Sequence, residues 1–209
     1  PRRRAPGPGT RGLTTPDTIV GTPYCAQGSC YSGLTTVARP IAGEPSPEPV
    51  TAPFLFLHPP AQITTDLDLP AWPATMTFLL GLDPYATGFG TDGATFELAV
   101  QPEGGEEERF AFDVDAETLL AGWTAASADL SPWVGQRVRL TFSTTPGPSG
   151  ENGGDWVGWG NISLVPASAG GSREELQQQL RSSWEEAGLS ANTLLVRADR
   201  ARTAVQGVA

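Results

Sequence analysis

The chain has 209 residues and one histidine, so acid–base or nucleophilic chemistry would rest on His58, hydroxyls and carboxylates. His58 stands between Leu57 and Pro59 at a strand end, where a turn imidazole bonded to backbone accounts for it. The residue count allows a Ser-His-Asp set, but no serine lies in a Gly-x-Ser-x-Gly elbow. Glycoside hydrolysis needs two carboxyl groups across a cleft. The pairs Asp66/Asp68 and Asp113/Asp115 are each two residues apart on strand-like segments, which puts both members on one outward face, as on the solvated side of an acidic protein. The sequence therefore reads as non-catalytic, with no cofactor.

A structural calcium ion is the one metal it suggests. Asp83, Asp92 and Asp155 fall in expected loops, where carboxylates and carbonyls could share such an ion or where the acids could cap turns. Aromatic rings carry the carbohydrate signal, because a ring offers an apolar face with a polar edge. Trp72 and Trp133 follow prolines in turns, Tyr85 and Phe89 share a Gly-rich loop, and Trp156 follows the loop at 150–154. Each could stack on a sugar or cover the end of the fold. Trp123 and Trp159, in phase with apolar neighbours, are assigned to the core. Asn161-Ile162-Ser163 matches a glycosylation sequon, but it falls within an expected strand and is read as chance.

These residues need a scaffold, and its clearest part is 129–164. There Val138, Leu140 and Phe142 alternate with Arg137, Arg139 and Thr141, which predicts a half-buried strand. The Gly- and Pro-rich stretch 146–154 breaks it, and Ile162 and Leu164 resume the alternation. Similar pieces at 54–57, 62–69, 75–82, 94–101, 107–114, 123–130, 136–144 and 156–165 give eight strands, enough for an antiparallel jelly-roll β-sandwich. Its expected core is Phe78, Phe96, Phe110, Trp123, Leu140, Phe142 and Trp159. Residues 1–49 are expected to form an extended arm with a Pro-rich linker, and 50–166 the sandwich. After the flexible joint that follows Pro166, a C-terminal helical hairpin is expected. Leu176, Leu180 and Trp184 form an apolar stripe on its first helix, and Leu194, Ala198 and Val205 one on its second. Two such helices cannot bury both stripes alone, so these residues are expected to bind a partner, or to fold back on the sheet.

Asp129-Leu130-Ser131, Gly135-Gln136-Arg137-Val138, Asp155-Trp156 and Trp159-Gly160-Asn161 resemble the closing strands of jelly-roll modules of the galactose-binding-like and carbohydrate-binding kind. The resemblance extends upstream through His58-Pro59-Pro60, Leu80-Gly81-Leu82-Asp83 and Asp92-Gly93. It implies a β-sandwich module of bacterial envelope proteins and leaves its ligand open, since fold does not fix function.

A net charge of −10, with no basic stripe in the body, repels phosphate backbones and argues against nucleic acid as a partner. The longest apolar run, 76–82, is too short for a transmembrane segment. Two functions follow from these features. The preferred one is a non-catalytic subunit of an extracellular or cell-envelope assembly, working through protein–protein contacts; the alternative is a carbohydrate-binding module. Cys25 and Cys30 enclose four residues and have no other cysteine to pair with, so a local disulfide and an oxidising compartment are expected. Alkylation of the denatured, unreduced protein should then add no mass, and two adducts would remove the bond.

Overall fold

The computed structural model describes residues 11–12, 24–25, 32–43 and 49–167. Cys30, most of the arm, and Leu176, Leu180, Trp184, Leu194, Ala198 and Val205 of the expected hairpin lie outside the described residues. In chain order the strands are β1 (Arg11–Gly12), β2 (Tyr24–Cys25), β3 (Ser32–Arg39), β4 (Val50–Leu57), β5 (Ala61–Asp68), β6 (Ala74–Leu82), β7 (Gly93–Pro102), β8 (Glu108–Asp115), β9 (Thr124–Asp129), β10 (Arg137–Pro146) and β11 (Val157–Pro166). One sheet, A, runs β3-β4-β11-β6-β9, with β1 beside the second half of β11. The other, B, runs β2-β5-β10-β7-β8. All paired strands are antiparallel.

The eight expected strands are all present with shifted ends. Three more strands, β1, β2 and β3, and a short helix are not among them. Ser32–Arg39 falls in the β-leaning part of the expected arm, yet it joins the sandwich, pairing with β4 along its whole length. Its Gly and Thr residues blur the alternation that Val37 and Arg39, both buried, follow around exposed Ala38. A short helix, α1 (Ala116–Ala121), links β8 to β9. Asp115 caps it by accepting from the Thr118 N–H at 2.8 Å, and Leu119 is its buried anchor.

Trp159 on β11 is the hub of the core between the sheets. The rings of Phe78, Phe142 and Phe96 approach it edge-on at 4.8, 5.2 and 5.6 Å between centroids. Leu140 is also fully buried there, whereas Phe110, expected in the core, is only half-buried at its margin. Trp123 is buried as expected, but on the other side of sheet A. With Val37, Ile41, Ala52, Phe54 and Leu79 it forms a second, smaller core on the outer face. This core exists because β4 stays with β11 for three residues only, Phe54 to Phe56, while Val50 to Pro53 pair with β3 alone. The Trp123 Nε1–H donates to the Val50 carbonyl at 3.0 Å.

Glycines let the Trp123 ring lie against the sheet. A Cβ on Gly81 would run into that ring, and one on Gly160 would come within 3.1 Å of both the ring and Leu79. Gly81→Ala should therefore cost about 1–3 kcal/mol through overpacking. Gly153→Ala, whose Cβ would meet nothing within 4 Å, should cost nothing measurable. Urea unfolding of the two variants checks this; equal midpoints would refute the close fit of Trp123.

Candidate functional site

Four connections cross from one sheet to the other at a single end: β4 to β5, β6 to β7, β8 through α1 to β9, and β10 to β11. Their loops form one rim. The β6–β7 connection contains a 3-10 turn, Pro84–Gly88, that starts at Asp83 and exposes Tyr85 and Phe89, which are 83% and 60% accessible. The β10–β11 loop, residues 147–156, lies against it so closely that a Cβ on Gly154 would reach the Thr91 nitrogen at 2.6 Å.

Polar contacts hold the loops together. The Asp83 N–H donates to the Trp156 carbonyl at 2.7 Å, and Asn152 Nδ2 donates to the Pro59 carbonyl at 2.6 Å. The Ser149 N–H donates to Asp92 Oδ2 at 2.6 Å, and hydrogen bonding from the Ser149 side chain first and its backbone second holds the Asp92 carboxyl below its ordinary pKa. The Thr91 hydroxyl donates to Asp155 Oδ1 at 2.6 Å and accepts from the Gly93 N–H at 3.1 Å. From the opposite side, Arg39 is buried and donates to the carbonyls of Leu82 and Leu120 at 2.8 and 2.7 Å, fixing the end of β6. Burial lowers its pKa and the nearby Asp83 charge opposes the shift.

Asp155 is the buried acid of the rim. It has no accessible surface, and its Oδ2 has no hydrogen-bond partner among the described residues. Desolvation raises its pKa and the Asp92 charge adds to the rise; Thr91, the backbone of Gly147 and His58 work against it.

The exposed rings continue a row that begins in the second core. Phe54 lies 5.6 Å from Trp123, Phe56 lies 6.3 Å from Phe54, and Trp156 lies 6.4 Å from Phe56. Phe89 ends the row 5.4 Å from Trp156, with the two planes 31° apart. His58 adjoins Phe56 at 6.4 Å.

Of the aromatic candidates, Tyr85, Phe89 and Trp156 are thus gathered at the rim. Trp133 is not: it is buried, 7% accessible, with its ring 6.4 Å from Phe110, because the turn Ser131–Trp133 tucks it under sheet B. Trp72 is half-buried against the core in the β5–β6 connection at the opposite end. The three aspartates do different work. Asp83 caps the 3-10 turn through the Tyr85 N–H at 2.9 Å, Asp92 holds Ser149, and Asp155 holds Thr91. Among the described residues no three His, Cys, Asp or Glu side chains converge as a metal-ligand set. Asn161 of the sequon is buried, with φ at 42°, where the β11 register shifts. The sequence reading passed over Phe56 and Arg39; the alternation of 54–57 could have flagged Phe56, whereas the contacts of Arg39 span 43 and 81 residues.

No known family model matches the sequence. A 71-residue stretch is 38% identical to an uncharacterized protein of Archaeoglobus fulgidus, covering 33% of this chain and 18% of that one. The chain thus spans less than a fifth of that relative's length. Among solved structures, CBM51 from Clostridium perfringens GH95, in complex with methyl-galactose, matches with a TM-score of 0.53 at 13% identity over 75% of this chain and all of that one. The CBM51-2 and INT domains of Clostridium perfringens ZmpB, in complex with GlcNAc, also give 0.53 at 13% identity, over 94% of this chain and 46% of that one. The fold is therefore that of a carbohydrate-binding-like β-sandwich module. Among the described residues no helix is long and apolar enough to cross a membrane.

The orphaned Asp155 oxygen has a consequence for pH. Its raised folded pKa means that the folded protein holds this proton more tightly than the unfolded chain does. The resulting stabilisation is complete below the ordinary Asp value of 3.8 and is lost as pH rises through the raised one. Asp155→Asn keeps an acceptor for Thr91 without the buried charge. In urea unfolding the variant should be more stable than the parent at pH 7, with the difference shrinking toward pH 3.5 or so; a variant less stable at pH 7 would show that the carboxylate is needed in ionised form.

Proposed function

We propose that this chain is a non-catalytic carbohydrate-binding module whose sugar seat is the loop rim, with Trp156 and Phe89 as its stacking surface. The observation that carries this reading is the exposed Phe89 ring tilted against the partly buried Trp156, on loops braced by Asp92, Asp155 and Asn152. A ring face can cover the C–H face of a pyranose, while polar atoms beside it meet the hydroxyls. Asp92 and the Asn152 amide oxygen, on the same loops, are the polar groups that would meet them, and exposed Tyr85 would extend the surface.

The likeness to modules solved with methyl-galactose and GlcNAc supports this reading over that of an assembly subunit. Binding rather than hydrolysis agrees with the lone histidine and with carboxylate pairs that lie on outward faces. An extracellular or cell-envelope location, where such glycans occur, belongs to the same proposal. So do protein contacts made through the residues expected in the C-terminal hairpin.

A glycan array, with methyl-galactose and GlcNAc followed by calorimetry, tests the module. At least one neutral glycan should bind, and Trp156→Ala and Phe89→Ala should each weaken it about tenfold, or ~1.4 kcal/mol. Trp72→Phe, at the opposite end, should bind as the parent does. A panel without a binder, or rim variants with parental affinity, would overturn the reading.

A further inference from the structure

The outer face of sheet B carries a depression of about 430 Å³ at the end away from the aromatic rim. Its floor is one row across three strands, because the register sets Asp66 of β5, Arg139 of β10 and Gln101 of β7 side by side. Arg137 and Asp68 form the next row, and the β7–β8 turn at Glu103, Gly104 and Gly105 makes the wall. From Arg139 of this floor β10 runs on through residues 140–146 to the rim, roughly 25 Å at the usual strand rise.

The chemistry of the floor selects a class of ligand. Arg139 Nε donates to Asp66 Oδ1 at 3.1 Å, and among the described residues its Nη1 and Nη2 have no partner. Arg137 divides its charge between Asp66 and Asp68, at 3.7 and 3.3 Å. Gln101 Nε2 braces the turn by donating to the Pro102 and Gly105 carbonyls, which leaves its amide oxygen as an acceptor. A Cβ on Gly104 would meet nothing within 4 Å, so the wall is open above the floor. Two guanidiniums face three carboxylates, those of Asp66, Asp68 and Glu103, so there is no surplus positive charge to hold a phosphate or a uronate. Its apolar lining is Val138, which is buried in the core, and Pro102, so it has no aromatic anchor of the kind that dominates protein interfaces. It presents N–H donors beside carboxylate and amide acceptors. A pair of adjacent sugar hydroxyls, each both donor and acceptor, matches that arrangement.

We propose that this depression is a second carbohydrate-binding site, independent of the rim, for a neutral hydroxyl-rich sugar, with Arg139, Asp66 and Gln101 as its contacts. The inference rests on the carbohydrate-binding reading, yet it can stand or fall separately. Two sites about 25 Å apart would let one module hold two chains, or one long chain twice, and so raise its retention on a polymer without a tighter single contact.

Amide chemical-shift titration of the isotope-labelled chain tests it. The probes are β-1,4-galactotriose, cellotetraose, xylotetraose and, as the charged comparison, tetragalacturonate. At least one neutral probe should shift the amides of Gln101, Gly104, Gly105 and Arg139 saturably, and Trp156→Ala should leave those shifts in place. Arg139→Ala and Gln101→Ala, both at surface positions, should weaken them about tenfold without altering shifts at the rim. Shifts at the rim alone would overturn this inference and leave the rim reading standing. Shifts in the depression alone would do the reverse. A response to tetragalacturonate alone, unchanged affinity in Arg139→Ala, or no response to any probe would each overturn the proposal.

Discussion

The structure depends on how β11 is packed from both sides. Trp159 points inward and gathers the rings of Phe78, Phe96 and Phe142, so one side chain joins both sheets. Its neighbours Gly158 and Gly160 point outward and give up their side chains, which allows Phe54 and Trp123 to press on the same strand from the other face. A strand in this position tolerates little change. A Cβ on Gly158 would strike the Leu55 carbonyl and the Phe54 ring. Removing a buried ring of this size typically costs about 3–5 kcal/mol, and here the loss would be felt in two cores.

The rim inherits its rigidity from that strand. Trp156 immediately precedes β11, and the Asp83 N–H that meets its carbonyl immediately follows β6, so the Trp159 core sets the base of both loops. Beyond the base no sheet ladder continues, and order is carried by side chains bonded to backbone or to each other: Thr91 to Asp155, Asp92 to Ser149, Asn152 to Pro59. Thr144 adds an inter-sheet tie just below, donating to the Leu57 carbonyl at 2.8 Å. Few of these contacts involve large apolar area, which suits loops whose outer surface is left for a ligand.

Much of the sandwich could be read from the sequence because its inner faces obey a period of two. Met76, Phe78, Leu80 and Leu82 are all buried, as are Val138, Leu140 and Phe142. The second core could not be read that way. Gly81, Gly158 and Gly160 look like turn or bulge signals in a linear sequence, and only the fold reveals that they are the seat of Trp123. The stretch 31–38 was legible as β-leaning, but not its place as an edge strand of the sandwich, because its partner β4 lies across a Pro-rich connection. At the rim, Tyr85, Phe89 and Trp156 were legible as loop aromatics, but Trp133 had the same local signature and is buried. A proline before a tryptophan marks a turn; it does not say which way the ring faces. The helix α1 was signalled by Asp115 three residues before Thr118, a cap hidden at the end of a convincing strand.

Two pairs in the same aromatic row show what distinguishes recognition from packing. Trp123 and Phe54 are 5.6 Å apart, and Trp156 and Phe89 are 5.4 Å apart, so the contact distances are nearly equal. Their coverage is not. The first pair is sealed by the β3–β4 hairpin, and neither residue has accessible surface, whereas Phe89 keeps 60% of its surface open and no described strand lies over it. Exposed apolar area is unfavourable by about 25 cal/mol per Å². A ring retained only for stability would be better placed under cover, as Phe54 is. At 5.4 Å the Phe89 and Trp156 rings touch each other, so nothing enters between them, and what stays open is the outward side of Phe89, on loops that Asp92 and Asp155 hold. A ligand lying on that outward side would cover at the rim what the hairpin covers for Trp123.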